Sequence, residues 1–74
     1  MTAPAFNPDR DQRLREVILD VARAHRLYRC MAMAQASALR HSSEGRHRLA
    51  SQRWGLLLEL HVTRQGILRK WGLL

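Results

Sequence analysis

From Asp9 to Arg40 the chain contains no glycine and no proline, and this uninterrupted stretch constrains the fold more than any other feature. Alanine and arginine are frequent within it, and both favour helix. Asn7-Pro8-Asp9 has the composition of a helix start. Asn7 is a capping residue, Pro8 suits the first helical position, and Asp9 and Asp11 favour the positive end of the helix dipole. Asp9 with Arg13 and Asp11 with Arg15 are spaced as i,i+4 pairs. Stepped at about 100° per residue, one stripe collects Leu14, Val17, Val21, Ala24, His25, Tyr28, Met31, Ala32, Gln35 and Leu39. Arg15, Arg26, Arg29, Met33, Ser37 and Arg40 fall on the opposite face. The pattern predicts one amphipathic helix over about residues 8–40.

The cluster His41-Ser42-Ser43-Glu44-Gly45 is the one polar, breaker-bearing interruption, and it predicts a turn over about 41–45. Ser42 or Ser43 is suited to cap a second helix, with Glu44 in its first turn. That helix is predicted over about residues 44–71. Its main stripe is Leu49, Arg53, Leu56, Leu60, Ile67, Trp71 and Leu74, and Trp54, Leu57, His61 and Leu68 lie beside it. The apolar arc spans roughly 160°, wider than one partner helix covers. Gly55 and Gly66 mark either a close helix approach, a kink or an end. Residues 1–6 read as a disordered lead-in and residues 7–74 as a single helical-hairpin domain.

The fold class expected is therefore all-α: a two-helix antiparallel hairpin. The chain has 74 residues, and a chain this short buries only about 60% of its unfolded surface. Small domains of this kind need a staple. Cys30 is the sole cysteine, so an internal disulfide is impossible, and one thiol makes no zinc site. The remaining staple is a second copy. A homodimer packed as a four-helix bundle would cover the wide arc, with Trp54, Leu57, Leu60, His61, Leu68 and Trp71 as its expected interface.

Function is approached through charge. The formal net charge is +7, and all basic residues but Lys70 are arginine. Residues 1–22 sum to −1 and residues 54–74 to +2. Residues 23–53 sum to +6, with Arg23, Arg26, Arg29, Arg40, Arg46, Arg48 and Arg53 against Glu44 alone. A hairpin gathers these seven arginines into its turn half. Guanidinium forks suit carboxylates and phosphates alike, so this set is the candidate partner-binding site. The bland reading is a solvated face in an arginine-rich proteome.

Other constellations are weaker. With a turn near residue 43, His25 falls opposite His61. Such a pair suits a pH-sensitive switch or a four-histidine metal site across a dimer. The simpler reading is two neutral histidines satisfied by their neighbours. Met31 and Met33 beside Cys30 form a soft cluster, with Met33 outward, where methionine suits adaptable binding. No phosphate-cradling glycine loop, His-Glu-x-x-His motif or carboxylate pair on a pocket face occurs. No enzyme, cofactor, metal or small-molecule substrate is expected, since a hairpin offers little concavity.

The N-terminus lacks a basic region followed by an apolar core, so no secretory leader is expected. The run Trp54-Gly55-Leu56-Leu57-Leu58 ends at Glu59, far short of the ~20 residues of a membrane span. Cytoplasmic location is expected, consistent with a lone thiol. The basic tail Ile67–Leu74 could lie on a membrane surface, or complete the hairpin core near Leu14 and Ile18. The leading expectation is a small regulatory or adaptor protein that binds an acidic protein surface or a partner helix. In size it is like phage and mobile-element inhibitors and anti-activators, an analogy of architecture only. The alternative is a nucleic-acid-binding dimer that contacts phosphates through its arginine end. In topology the hairpin resembles the Rop family of plasmid RNA-binding hairpins, which are also dimers of two-helix hairpins. No motif is shared, and no residue is carried over.

Overall fold

The computed structural model describes residues 8–74, and among these there are two helices and no strand. Helix α1 is Pro8–Ser43 and helix α2 is His47–Lys70. They fold back on each other as a hairpin, so the described residues form an all-α fold. The proposed lead-in, residues 1–6, and the proposed cap Asn7 lie outside the described residues.

Both helices stop the same way. At the end of α1 the Gly45 N–H donates to Ser42 O (3.1 Å) and the Arg46 N–H to His41 O (2.8 Å). Gly45 has φ +76°. This is a Schellman motif, in which a left-handed residue lets two backbone donors reach back to the last carbonyls. At the end of α2 the Gly72 N–H donates to Arg69 O (3.1 Å) and the Leu73 N–H to Leu68 O (2.8 Å), with Gly72 at φ +68°. The turn is as short as the motif permits. Arg46 closes α1 and is also the N-cap of α2, with its carbonyl accepting from the Ala50 N–H at 3.0 Å. Neither serine caps α2: its N-cap has no side-chain hydrogen bond, and Ser43 Oγ instead donates back to Arg40 O at 2.8 Å. Because the Gly45 closure draws residues 41–43 into α1, the turn falls later than expected.

The later turn changes the register. Asp20 meets Trp71, and Tyr28 meets Arg64. His25 therefore lies near the level of Gly66 rather than of His61, and it is exposed. Gly55 and Gly66 both lie inside an unbroken α2, with nothing within 4 Å of where a Cβ would be. They mark neither a close approach to α1 nor an end.

The seam between the helices is narrow and built on alanine. On α1 the buried and half-buried residues include Val17, Asp20, Ala24, Leu27, Met31, Ala34, Ala38 and His41, spaced alternately by three and four. That is the period of a coiled-coil seam. The expected α1 stripe shares Val17, Ala24 and Met31 with it. Its other members point outward, Leu14, Val21, Tyr28 and Leu39 among them. On α2 the seam runs through Ala50, Leu57, His61, Arg64, Leu68 and Trp71, nearer the second expected set than the first. The buried apolar residues are Ala24, Ala34, Ala38 and Ala50, and no large side chain among the described residues is fully buried.

Candidate interaction surfaces

Two helices have one seam and two flanks. Tyr28 follows the seam residue Leu27, whereas Met33 precedes the seam residue Ala34. A step of about 100° in opposite senses places them on opposite flanks.

On the first flank Leu14, Val21 and Tyr28 recur every seven residues and are exposed, Tyr28 by 55%. Val21, His25 and Tyr28 share a shallow groove with Arg64 and Leu68 of α2. The Arg64 guanidinium carbon stands 5.3 Å from the centre of the Tyr28 ring, within cation–π range. Its Nε is buried without a hydrogen-bond partner among the described residues. Farther from the turn, Leu14 and Val17 line a depression with Trp71.

On the second flank a groove of about 820 Å³ runs between the helices, lined by Cys30, Met33, Ala34, Ser37 and Arg40 of α1 and by Arg53, Leu56 and Leu60 of α2. Its lining is mainly apolar. Met33 is 72% exposed, and Cys30 is a free, exposed thiol. The expectation that a hairpin offers little concavity is corrected here. The small side chains of Ala34 and Ser37 form a low floor between higher walls.

All seven arginines of the candidate site, Arg23, Arg26, Arg29, Arg40, Arg46, Arg48 and Arg53, are exposed. Among the described residues only Arg46 of the seven has an ion-pair partner, Glu44 at 3.5 Å. Arg40 and Arg53, from opposite helices, flank the groove together. The expected dimer residues are divided. Leu57, Leu60, His61, Leu68 and Trp71 are half-buried in or beside the seam, and Trp54 is 37% exposed. Leu68 and Trp71 border the Tyr28 flank, and Leu60 borders the groove.

The free ends of the hairpin are pinned by a polar contact. Asp20 Oδ2 accepts from Trp71 Nε1 at 2.7 Å and from Lys70 Nζ at 3.2 Å. The hydrogen bond from Trp71, then that from Lys70, holds the Asp20 carboxyl below its ordinary value, and the charges of Lys70 and Arg23 act in the same direction. The C-terminal segment thus packs on α1 near Leu14 and Val17.

Among the described residues no group of three or more histidine, cysteine or acidic side chains is placed to hold a metal ion. No helix among them is long and apolar enough to cross a membrane. No family model, curated protein or solved structure matches the chain.

Signals for these surfaces are present in the sequence but compete with others. The groove residues Cys30, Met33, Ser37 and Arg40 are spaced by three and four, in a stretch that carries no charge between Arg29 and Arg40. Asp20 and Trp71 are far apart in the chain, and nothing local pairs them.

Proposed function

We propose that this chain is a non-enzymatic regulatory or adaptor protein that docks through its arginine-rich turn half onto an acidic surface of a partner protein. The observation that carries the reading is the placement of the seven arginines. All are exposed, Arg29, Arg40, Arg46, Arg48 and Arg53 fall in the turn half with Arg23 and Arg26 just beyond its edge, and a single carboxylate within residues 23–53 offsets them. Exposed ion pairs contribute only ~0.2–1 kcal/mol each, so binding rests on the set. The reading places the protein in the cytoplasm, where Cys30 stays reduced.

The working form in this proposal is a homodimer, packed as a four-helix bundle. Leu14, Val21 and Tyr28 stand exposed along one flank, apolar surface that a second copy would cover. The Tyr28 flank, with Leu14 and Val21, is assigned to the second copy. It extends into the half of the hairpin where the charge is nearly balanced.

Reversing Arg26, Arg29, Arg46 and Arg48 to glutamate together tests the docking end. A partner captured from host lysate, with and without nuclease, is titrated against wild type and variant. The expected result is loss of binding with helicity and molecular mass intact, and a shallow dependence of affinity on salt. A steep linear fall of log affinity with log salt, about 0.9 per phosphate on duplex DNA, would move the reading to nucleic acid.

A further inference from the structure

We infer that the groove on the Met33 flank seats an acidic amphipathic helix of a partner protein, its apolar face against Met33, Leu56 and Leu60 and its carboxylates at Arg40 and Arg53. This rests on the proposed docking of the turn half on acidic protein and names the seat and the shape of what sits there.

Three observations carry it. The first is form. Cys30 and Met33 stand on one wall and Leu56 and Leu60 on the other, with Ala34 and Ser37 between them as a floor. From Cys30 to Arg40 the groove follows α1 for about 15 Å, close to three helical turns. That length takes a helix with anchors at i, i+3 or i+4, and i+7. Small floor residues let the docked backbone come near, and the unbranched Met33 side chain adapts to its anchors.

The second observation is charge. Arg40 and Arg53 flank the groove from opposite helices and have no ion-pair partner among the described residues. The one carboxylate within residues 23–53, Glu44, is paired with Arg46. A helix with leucines on one side and glutamates beside them fills the apolar strip and supplies the missing carboxylates.

The third observation opposes the simplest rival, a second copy of this chain. Residues 23–53 carry +6, and the groove lies within the stretch they form. A copy centred there, parallel or antiparallel, sets arginine against arginine. Like charges brought together in this way oppose association.

The test uses the full chain and a designed peptide of about 18 residues, five helical turns, with leucine at the anchor positions and glutamate elsewhere. One control peptide has lysine for glutamate, and another has alanine for leucine. Cys30 lies in the groove and is the sole thiol, so its rate of alkylation reports occupancy. The acidic peptide is expected to slow alkylation at least fivefold, and neither control peptide to slow it. Arg40→Glu with Arg53→Glu should weaken the peptide by roughly tenfold. Met33→Glu, at a well-exposed position, should weaken it while helicity is unchanged.

Equal protection by the lysine peptide would overturn the inference. So would protection that grows with protein concentration alone, which would give the groove to a second copy. Protection by a short RNA or DNA duplex without protection by the acidic peptide would also overturn it. The native partner separates this failure from that of the wider proposal. If it ignores the groove variants but is lost on reversal of Arg26, Arg29, Arg46 and Arg48, the groove is not the seat and the turn half still docks. If it ignores both sets, the two readings fall together.

Discussion

Asp20 occupies a seam position between Val17 and Ala24, where the spacing favours an apolar side chain. It is tolerated because Trp71 Nε1 and Lys70 Nζ both donate to it. Its lowered folded pKa gives a signed prediction. The unfolded carboxyl titrates near 3.9. Above that value both states are ionised, and the contribution of the contact is fully present. As pH falls through the unfolded value toward the lower folded one, the unfolded chain takes up the proton first and the contribution is lost. Asp20→Asn should therefore lower the melting temperature at pH 7 and flatten the acid limb of the stability curve below about pH 4. Thermal melts of both proteins from pH 2 to 7 check this, and parallel acid limbs would refute it. Arg23 is the basic residue nearest Asp20 in the chain. The actual donors are across the hairpin, and finding them needs the register, which depends on where the turn closes. The same displacement separates His25 from His61, so the paired-histidine switch is not assembled within one protomer.

At the scale of the helix, four glycines divide into two kinds. Gly45 and Gly72 hold positive φ and terminate helices, whereas Gly55 and Gly66 are ordinary helical residues in open space. Gly45→Ala should cost about 1–2 kcal/mol, the strain of a left-handed non-glycine residue. Gly55→Ala or Gly66→Ala should instead stabilise by about 1 kcal/mol each through helix propensity. Urea titrations should show opposite shifts in midpoint at similar slope. A gain from Gly45→Ala would mean that the closure at the turn is not as described. The presence of two helices was legible because periodicity and the absence of breakers act locally. The face that α1 turns inward was not. Two stripes with the same three-four spacing overlap at Val17, Ala24 and Met31. One continues through Leu14, Val21 and Tyr28, the other through Leu27, Ala34 and Ala38. Ranking by hydrophobic size selects the first. Packing of two helices on each other selects the second, since alanine lets the helix axes approach closely. The larger side chains are left outside, and in the candidate site they become the flanks. The arginine set was legible because it follows from charge along the chain alone, even though Arg53 fell on the expected α2 stripe, whereas the groove between helices needed the inward face of α1 first.

The molecule as a whole is a hairpin with its small residues inside and its large ones outside. Ile18, Leu19, Tyr28, Met33, Leu39, Leu58 and Val62 are all more than half exposed, an inversion of the usual distribution. Such scant burial of large side chains is the reason a second copy is proposed. Two copies joined on the Tyr28 flank would place Leu14, Val21 and Tyr28 between layers and leave the Met33 groove and the turn-half arginines facing outward. Stability then depends on concentration, because folding and association are one equilibrium. Raising the protein from about 1 to 100 μM should raise the melting temperature by several degrees, and light scattering across that range should give twice the chain mass. Val21→Glu with Tyr28→Glu should abolish the concentration dependence and yield a marginal or unfolded monomer. Met33→Glu is equally a charge placed on an exposed apolar side chain, but it lies on the other flank. It should leave mass and melting temperature unchanged. A melting temperature independent of concentration, with monomer mass throughout, would reject the dimer. If Met33→Glu rather than Val21→Glu with Tyr28→Glu were to dissociate it, the two flanks would exchange roles. The groove would then be the seam between copies, and the acidic partner would have to be sought on the outer arginines alone.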